Sequence, residues 1–218
     1  MNPVELGTLA PFVATTPRLR EAIFARIAVE NYPNSYIHYV DAHEKTADAG
    51  ATCLVLPPGI AVSETLRLDW DQQWVQQHGV AAVFCEGDLS IAGDLLNLNI
   101  NSGPLLVVTG NLSVVNLVSG GGTFLILGDV TASGVVIGEY NDGLMRVGCD
   151  LRASLLINLD HDIGVSGALD APSVDWNEDI LADVLVPEVF HEDDDSEVVV
   201  QKVLERQRAG LPILLSGD

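Results

Sequence analysis

Apolar and polar residues alternate along "GDLSIAGDLL" (Gly87–Leu96), and the phrase returns as "GNLSVV" from Gly110 and "GDVTAS" from Gly128. The apolar residue after each Gly-Asp or Gly-Asn pair serves as an anchor. Extended through two looser matches, the anchors are Leu89, Leu112, Val130, Leu151 and Leu169, spaced 23, 18, 21 and 18 residues apart. Six residues before them stand Val83, Leu106, Phe124, Met145 and Ile163; four before, Cys85, Val108, Ile126, Val147 and Val165; two after, Ile91, Val114, Ala132, Ala153 and Ala171. All fifteen are apolar. A period of two, kept in register over five repeats, predicts strands with one face buried and one exposed. Two positions before the anchors stand Gly87, Gly110, Gly128, Cys149 and Gly167, read as an inward column where the chain bends. Leu54, Leu56, Ile60 and Val62 fit the same frame, with Pro58 in the glycine place.

A repeat of 18 to 23 residues is short for helix pairs, lacks the leucine-rich signature and keeps no six-residue beat. The expected fold is all-β: a right-handed parallel β-helix of about five to six coils. Residues 1–50 are expected to form an N-terminal capping segment with a helix, residues 51–172 the β-helix, and residues 173–218 an acidic C-terminal segment with a capping helix. Thr16 and Pro17 open the first helix pattern, with Leu19, Ile23, Ile27 and Val29 on its apolar side. Ser196 is the expected cap of the second, which carries Val199, Val203 and Leu204 and stops at Gly210 before Pro212. Such covers would shield the open strand edges of a solenoid.

Charge narrows the choice of partner. The chain has 31 acidic and 10 basic residues, a formal charge of −21. No Lys or Arg lies between Arg67 and Arg146, and Asp160 to Glu197 holds thirteen carboxylates without one. Nucleic acid and anionic membrane are therefore disfavoured as partners, and a basic protein is favoured. Cys53, Cys85 and Cys149 have no metal spacing and read as buried thiols of a reducing compartment. The N-terminus shows no secretion signal, and no stretch is long enough to span a membrane, so a cytoplasmic location is expected.

Catalytic chemistry finds little support. There is no phosphate-cradling glycine loop and no nucleophile elbow. "SGGGT" (Ser119–Thr123) reads as a coil turn. In "DHD" (Asp160–Asp162), neighbours on a strand point apart, so a solvated turn is favoured over a metal or catalytic cluster. The polar residues just before the anchors, Asp88, Asn111, Asp129 and Asp150, would stack with like charges close together. Turn N–H groups are the favoured compensation over a calcium ladder. No catalytic residue, metal or cofactor is assigned. Trp70 and Trp74, four apart in "LDWDQQWVQQHG", could share one side of a short helix, either covering the solenoid flank or forming a partner hot spot.

The run from "GDLSIAGDLL" through "LLVVTGNLSVVNL", "FLILGDVTASGVV" and "GEYNDGLMRVGCDLRASLLINLDHDIGVSG" resembles β-helix immunity proteins of bacterial polymorphic and type VI secreted toxins. The resemblance spans about residues 54–171 and implies a protein that binds one cognate toxin and blocks it. The acidic composition fits a nuclease toxin, whose phosphate-binding cleft must be basic. The expected partner contacts are Glu139, Asp142, Asp160 and Asp162 at coil turns, with Glu192, Asp193, Asp194, Asp195 and Glu197 in the C-terminal segment and the two tryptophans. Two alternatives stand beside this one: a bactofilin-like polymer subunit and a carbohydrate-active β-helix enzyme.

Overall fold

The structure, a computed structural model, describes residues 13–14, 52–140, 142–176, 178–192 and 194–215, of which the side chains of 13–14, 178–180 and 194–196 are left aside. The helix expected from Thr16 and Pro17 lies outside these residues. The chain folds into a β-solenoid of three mainly parallel sheets. The first sheet runs in the order β1 (Val13–Ala14), β2 (Thr52–Leu56), β5 (Val80–Cys85), β8 (Leu105–Val108), β11 (Thr123–Ile126), β14 (Leu144–Val147) and β17 (Asp162–Val165). The second stacks β3 (Ile60–Val62), β6 (Leu89–Ile91), β9 (Leu112–Val114), β12 (Val130–Ala132), β15 (Leu151–Arg152) and β18 (Leu169–Asp170). The third stacks β4 (Leu66–Arg67), β7 (Leu95–Asn97), β10 (Leu117–Ser119), β13 (Val135–Glu139), β16 (Leu155–Leu159) and β19 (Ser173–Asp175). Within these three sheets, among the described residues, only β1 is antiparallel to its neighbour, pairing Val13 with Leu54 and Ala14 with Cys53.

The register follows the repeat. Ile60, Leu89, Leu112, Val130, Leu151 and Leu169 pair in one file, and Leu54, Val83, Leu106, Phe124, Met145 and Ile163 in another. The file is interior through Leu151, which is fully buried, but Leu169 is 45% exposed. The expectation of a closed file fails at this last position, because no further strand follows β18 in the sheet order.

Two outer faces are apolar as well. On the third sheet, Leu96, Val118, Val135, Ile137, Leu155, Ile157 and Val174 point away from the interior and pack with the C-terminal segment. That segment comprises α2 (Glu178–Val184), a 3-10 turn at Pro187–Val189, the hairpin β20 (Phe190–His191) with β21 (Asp194–Val198), and α3 (Val200–Arg208); α1 is the short helix Gln73–His78 earlier in the chain. Leu181, Leu185, Val189, Phe190, Val203 and Leu204 supply its side of the contact. The C-terminal helix therefore lies on the flank of the solenoid and not over its end, because the outward apolar stripe of the third sheet demands burial first. On the first sheet, Phe84, Leu105, Val107 and Leu125 form a second outward cluster with Trp70 against it. The second sheet keeps the simple alternation, with Ser90, Ser113 and Thr131 exposed between buried neighbours and Arg152 exposed between buried Leu151 and partly buried Ala153.

α3 begins later than expected. Ser196 falls within β21, and Val199 precedes the helix without a side-chain cap, because Val198 pairs with Phe190 and the Val199 N–H bonds to the Val189 carbonyl. Its end is as expected: Gly210 takes φ +65°, and the N–H of Leu211 reaches back to the carbonyl of Arg206. Arg208 and Gln207 then tie the helix to the corner between the second and third sheets. Arg208 pairs with Asp94, which is buried, and Gln207 Oε1 accepts from Asn116 Nδ2 at 3.0 Å. Asn116 Oδ1 in turn accepts the Val135 N–H at 2.9 Å.

The corner between the first and second sheets carries the acidic ladder. Asp88 Oδ1 accepts the N–H of Asn111 at 2.7 Å, Asn111 Oδ1 that of Asp129 at 2.8 Å, Asp129 Oδ1 that of Asp150 at 3.0 Å, and Asp150 Oδ1 that of Ala168 at 2.8 Å. Turn amides thus offset the stacked charge, and Arg152 adds a bridge to Asp129 and Asp150. The glycine column sits under these side chains. A Cβ at Gly110 would lie 2.4 Å from Asp88 Oδ1, and one at Gly128 2.4 Å from Asn111 Oδ1. The column does not face the interior, as its one side chain proves: Cys149 is exposed, against the expectation of three buried thiols.

Candidate functional site

The third-to-first corner gathers the sequence-selected coil-turn residues. β13 ends at Glu139 and β16 at Leu159, which pair in register, so the next residues, Tyr140 and Asp160, occupy equivalent turn positions. Both take left-handed backbone, at φ +74° and +62°. Aspartate tolerates that region, whereas tyrosine is held there at a cost of about 1–2 kcal/mol. The Tyr140 N–H donates to the Leu159 carbonyl at 2.9 Å, and Asn158 Oδ1 accepts the His161 N–H at 2.9 Å.

This turn sends the His161 ring inward, where it is buried. Two glycines make the space: a Cβ at Gly138 would meet His161 Cβ at 2.7 Å, and one at Gly143 would meet His161 Cε1 at 2.4 Å. His161 Nδ1 lies 2.7 Å from the Tyr140 carbonyl, which can only accept, so Nδ1 carries the proton. The buried Nε2 has no partner among the described residues. Burial holds the imidazole below its ordinary pKa, against the opposing pull of the Tyr140 carbonyl. The ring fills the space left at this corner by Gly138 and Gly143.

The carboxylates stay outside. Asp162 opens β17, is exposed, and pairs with Arg146 at 2.6 Å, while the Arg146 Nη1 donates to its carbonyl at 2.8 Å. Asp142 and Asp160 are exposed on the same corner. Glu139 is half-buried, and its carboxyl is pushed up to about 7, first by burial and then by the repulsion of Glu197 from β21. Glu192 is exposed in the hairpin turn. Asp193 lies outside the described residues, as do the side chains of Asp194 and Asp195. The three residues of "DHD" diverge, with His161 inward and its neighbours outward, and no group of three His, Cys, Asp or Glu converges among the described residues.

Trp70 and Trp74 lie elsewhere, in the excursion between β4 and β5. Both are partly buried against the interior cluster. Trp70 precedes α1 and does not share it with Trp74, and its Nε1 donates to Ser102 Oγ at 2.8 Å. Trp74 Nε1 is buried without a partner among the described residues. The placement is that of a flank cover.

Three features were missed from the sequence. Asp69 is buried, accepts the N–H groups of Leu98 and Asn99 at 2.8 and 2.9 Å, and pairs with Arg67 at 2.7 Å. Asn97, fully buried, bonds to Asp69, the Leu68 carbonyl and the Gly122 N–H. The Asp94–Asn116–Arg208 clamp is the third. The signal for Asn97 and Asn116 was a short polar residue just past an apolar pair at a coil corner. No protein-family model, no curated protein and no solved structure matches the chain. Among the described residues, no helix is long and apolar enough to cross a membrane.

Proposed function

We propose that the protein is an immunity-type inhibitor: a rigid acidic scaffold that binds a cognate secreted bacterial toxin and blocks its active-site cleft. The frame in this reading is a right-handed solenoid of five to six coils. The observation that carries the proposal is the charge and where it sits. A chain of net charge −21 displays Asp142, Asp160 and Asp162 on one solenoid corner, with Glu197 beside Glu139. A preformed acidic surface is steered quickly to a basic nucleic-acid cleft and occupies it with little ordering cost. A nuclease is the toxin class such a surface suits best.

The test is co-purification with the product of the adjacent reading frame, followed by a nuclease assay of that product with and without this protein. Stoichiometric binding with loss of nuclease activity is expected. The double variant Asp160→Lys, Asp162→Lys should associate at least tenfold more slowly at low salt. A neighbouring product that neither binds nor is inhibited would remove the immunity reading.

A further inference from the structure

Among the described residues, no strand covers the last coil of the solenoid. β17, β18 and β19 are last in their three sheets, so each presents an outer edge with no strand beside it among the described residues. The interior is unsealed there. Met145, Val147 and Leu151 are buried, but their register partners Ile163 and Val165 are only partly so, and Leu169 is 45% exposed. Trp176, just past β19, is 48% exposed. This coil is also acidic: Asp160, Asp162, Asp170 and Asp175 fall within it, and no Lys or Arg does. Arg146 reaches across from the preceding coil to Asp162.

We propose that this terminal coil accepts an added β-strand from a basic protein partner, an extended segment that alternates apolar residues with Lys or Arg. The inference rests on the acidic-scaffold reading and gives it a docking place. A segment following this coil along β17 and round the corner into β18 would seat its apolar side chains over Ile163, Val165 and Leu169. Its basic side chains, pointing the other way, would face Asp160 and Asp162. Main-chain bonds to the edge supply affinity, and the charge pattern selects the partner.

Other occupants fit less well. A second copy set end to end would oppose two sets of four aspartates. Head-to-tail stacking meets β1, which runs antiparallel on β2 and breaks the parallel continuation of the first sheet.

The probe is a fluorescein-labelled decapeptide of alternating valine and lysine, titrated with the full chain by fluorescence anisotropy. Two controls are a block isomer of the same composition and the same peptide N-methylated along its backbone, which keeps the charge and removes the edge donors. The alternating peptide should bind at least tenfold tighter than either control, and Leu169→Lys should lose at least tenfold while the melting temperature holds. Equal binding of the N-methylated peptide, no binding at all, or an unchanged affinity in Leu169→Lys would overturn the proposal. So would a concentration-dependent dimer, seen by sedimentation and abolished in Leu169→Lys, which would make the occupant a second copy. The two readings fail separately. If the neighbouring product binds Leu169→Lys as it binds the wild type, the inhibitor stands and the docking place falls. If the peptide behaves as expected and the neighbouring product is neither bound nor inhibited, the strand site stands and the immunity role falls.

Discussion

Replacing Glu139 by glutamine tests the electrostatics of the acidic corner. The glutamate carboxyl is held at about 7 in place of 4.5, by burial and by Glu197. Between those values the folded protein keeps a proton that the unfolded chain has released, so this group's penalty grows as pH rises from about 4.5 to 7 and is complete above. At about 1.4 kcal/mol per pH unit the penalty is at most about 3 kcal/mol. Screening at the part still open to water reduces it to about 1–2 kcal/mol. Glutamine keeps the shape and cannot ionise. Glu139→Gln should therefore match the wild type near pH 4.5 and exceed it by about 2–8 °C in melting temperature at pH 8. The assay is a thermal melt followed by circular dichroism at half-unit steps of pH. His161, whose burial-lowered pKa makes stability fall as pH drops below the ordinary histidine range, contributes equally to both proteins and cancels in the difference. A difference that stays constant with pH, or a variant less stable at pH 8, would refute the reasoning.

Two further outcomes follow from burial. Leu112 and Leu169 hold one file, yet Leu112→Ala should cost about 2–5 kcal/mol and Leu169→Ala at most about 1 kcal/mol, read from urea unfolding midpoints. Ellman's reagent should titrate one thiol in the native protein, the exposed Cys149, and three after denaturation; the Cys85 thiol is pushed up to about 12, chiefly by burial and further by Asp88.

The interior was legible because its signal is redundant. A period of two repeated in register across Leu89, Leu112, Val130 and Leu151 admits one arrangement, and side chains of those types have nowhere else to go. The outer apolar faces were not legible in the same way. "LLVV" at Leu105 and "GVVIG" at Gly134 carry apolar residues at both parities, which marks strands buried on both sides, and the repeat alignment used only one parity. The C-terminal helix was visible through its apolar side and Gly210, but its docking face depends on outward residues such as Val135 and Ile137, which the alignment did not use. Adjacency along the chain put Asp142 and Asp160 in turns, as found, whereas Glu139 closes β13 and Asp162 opens β17. It could not show that the left-handed turns at Tyr140 and Asp160 drive His161 inward, since the room for that ring comes from Gly138 and Gly143, on other coils.

The hydrogen-bonded ladder from Asp88 to Ala168 has a direction. Each corner side chain serves the amide of the following turn of chain and never that of the preceding one. Alanine at position 168 has no oxygen to offer onward. The first coil offers none either: Gly59 stands before Ile60, and β6 still stacks on β3. The ladder therefore runs one way through the middle of the stack, from Asp88 to Ala168, and stiffens that corner without being required at either end.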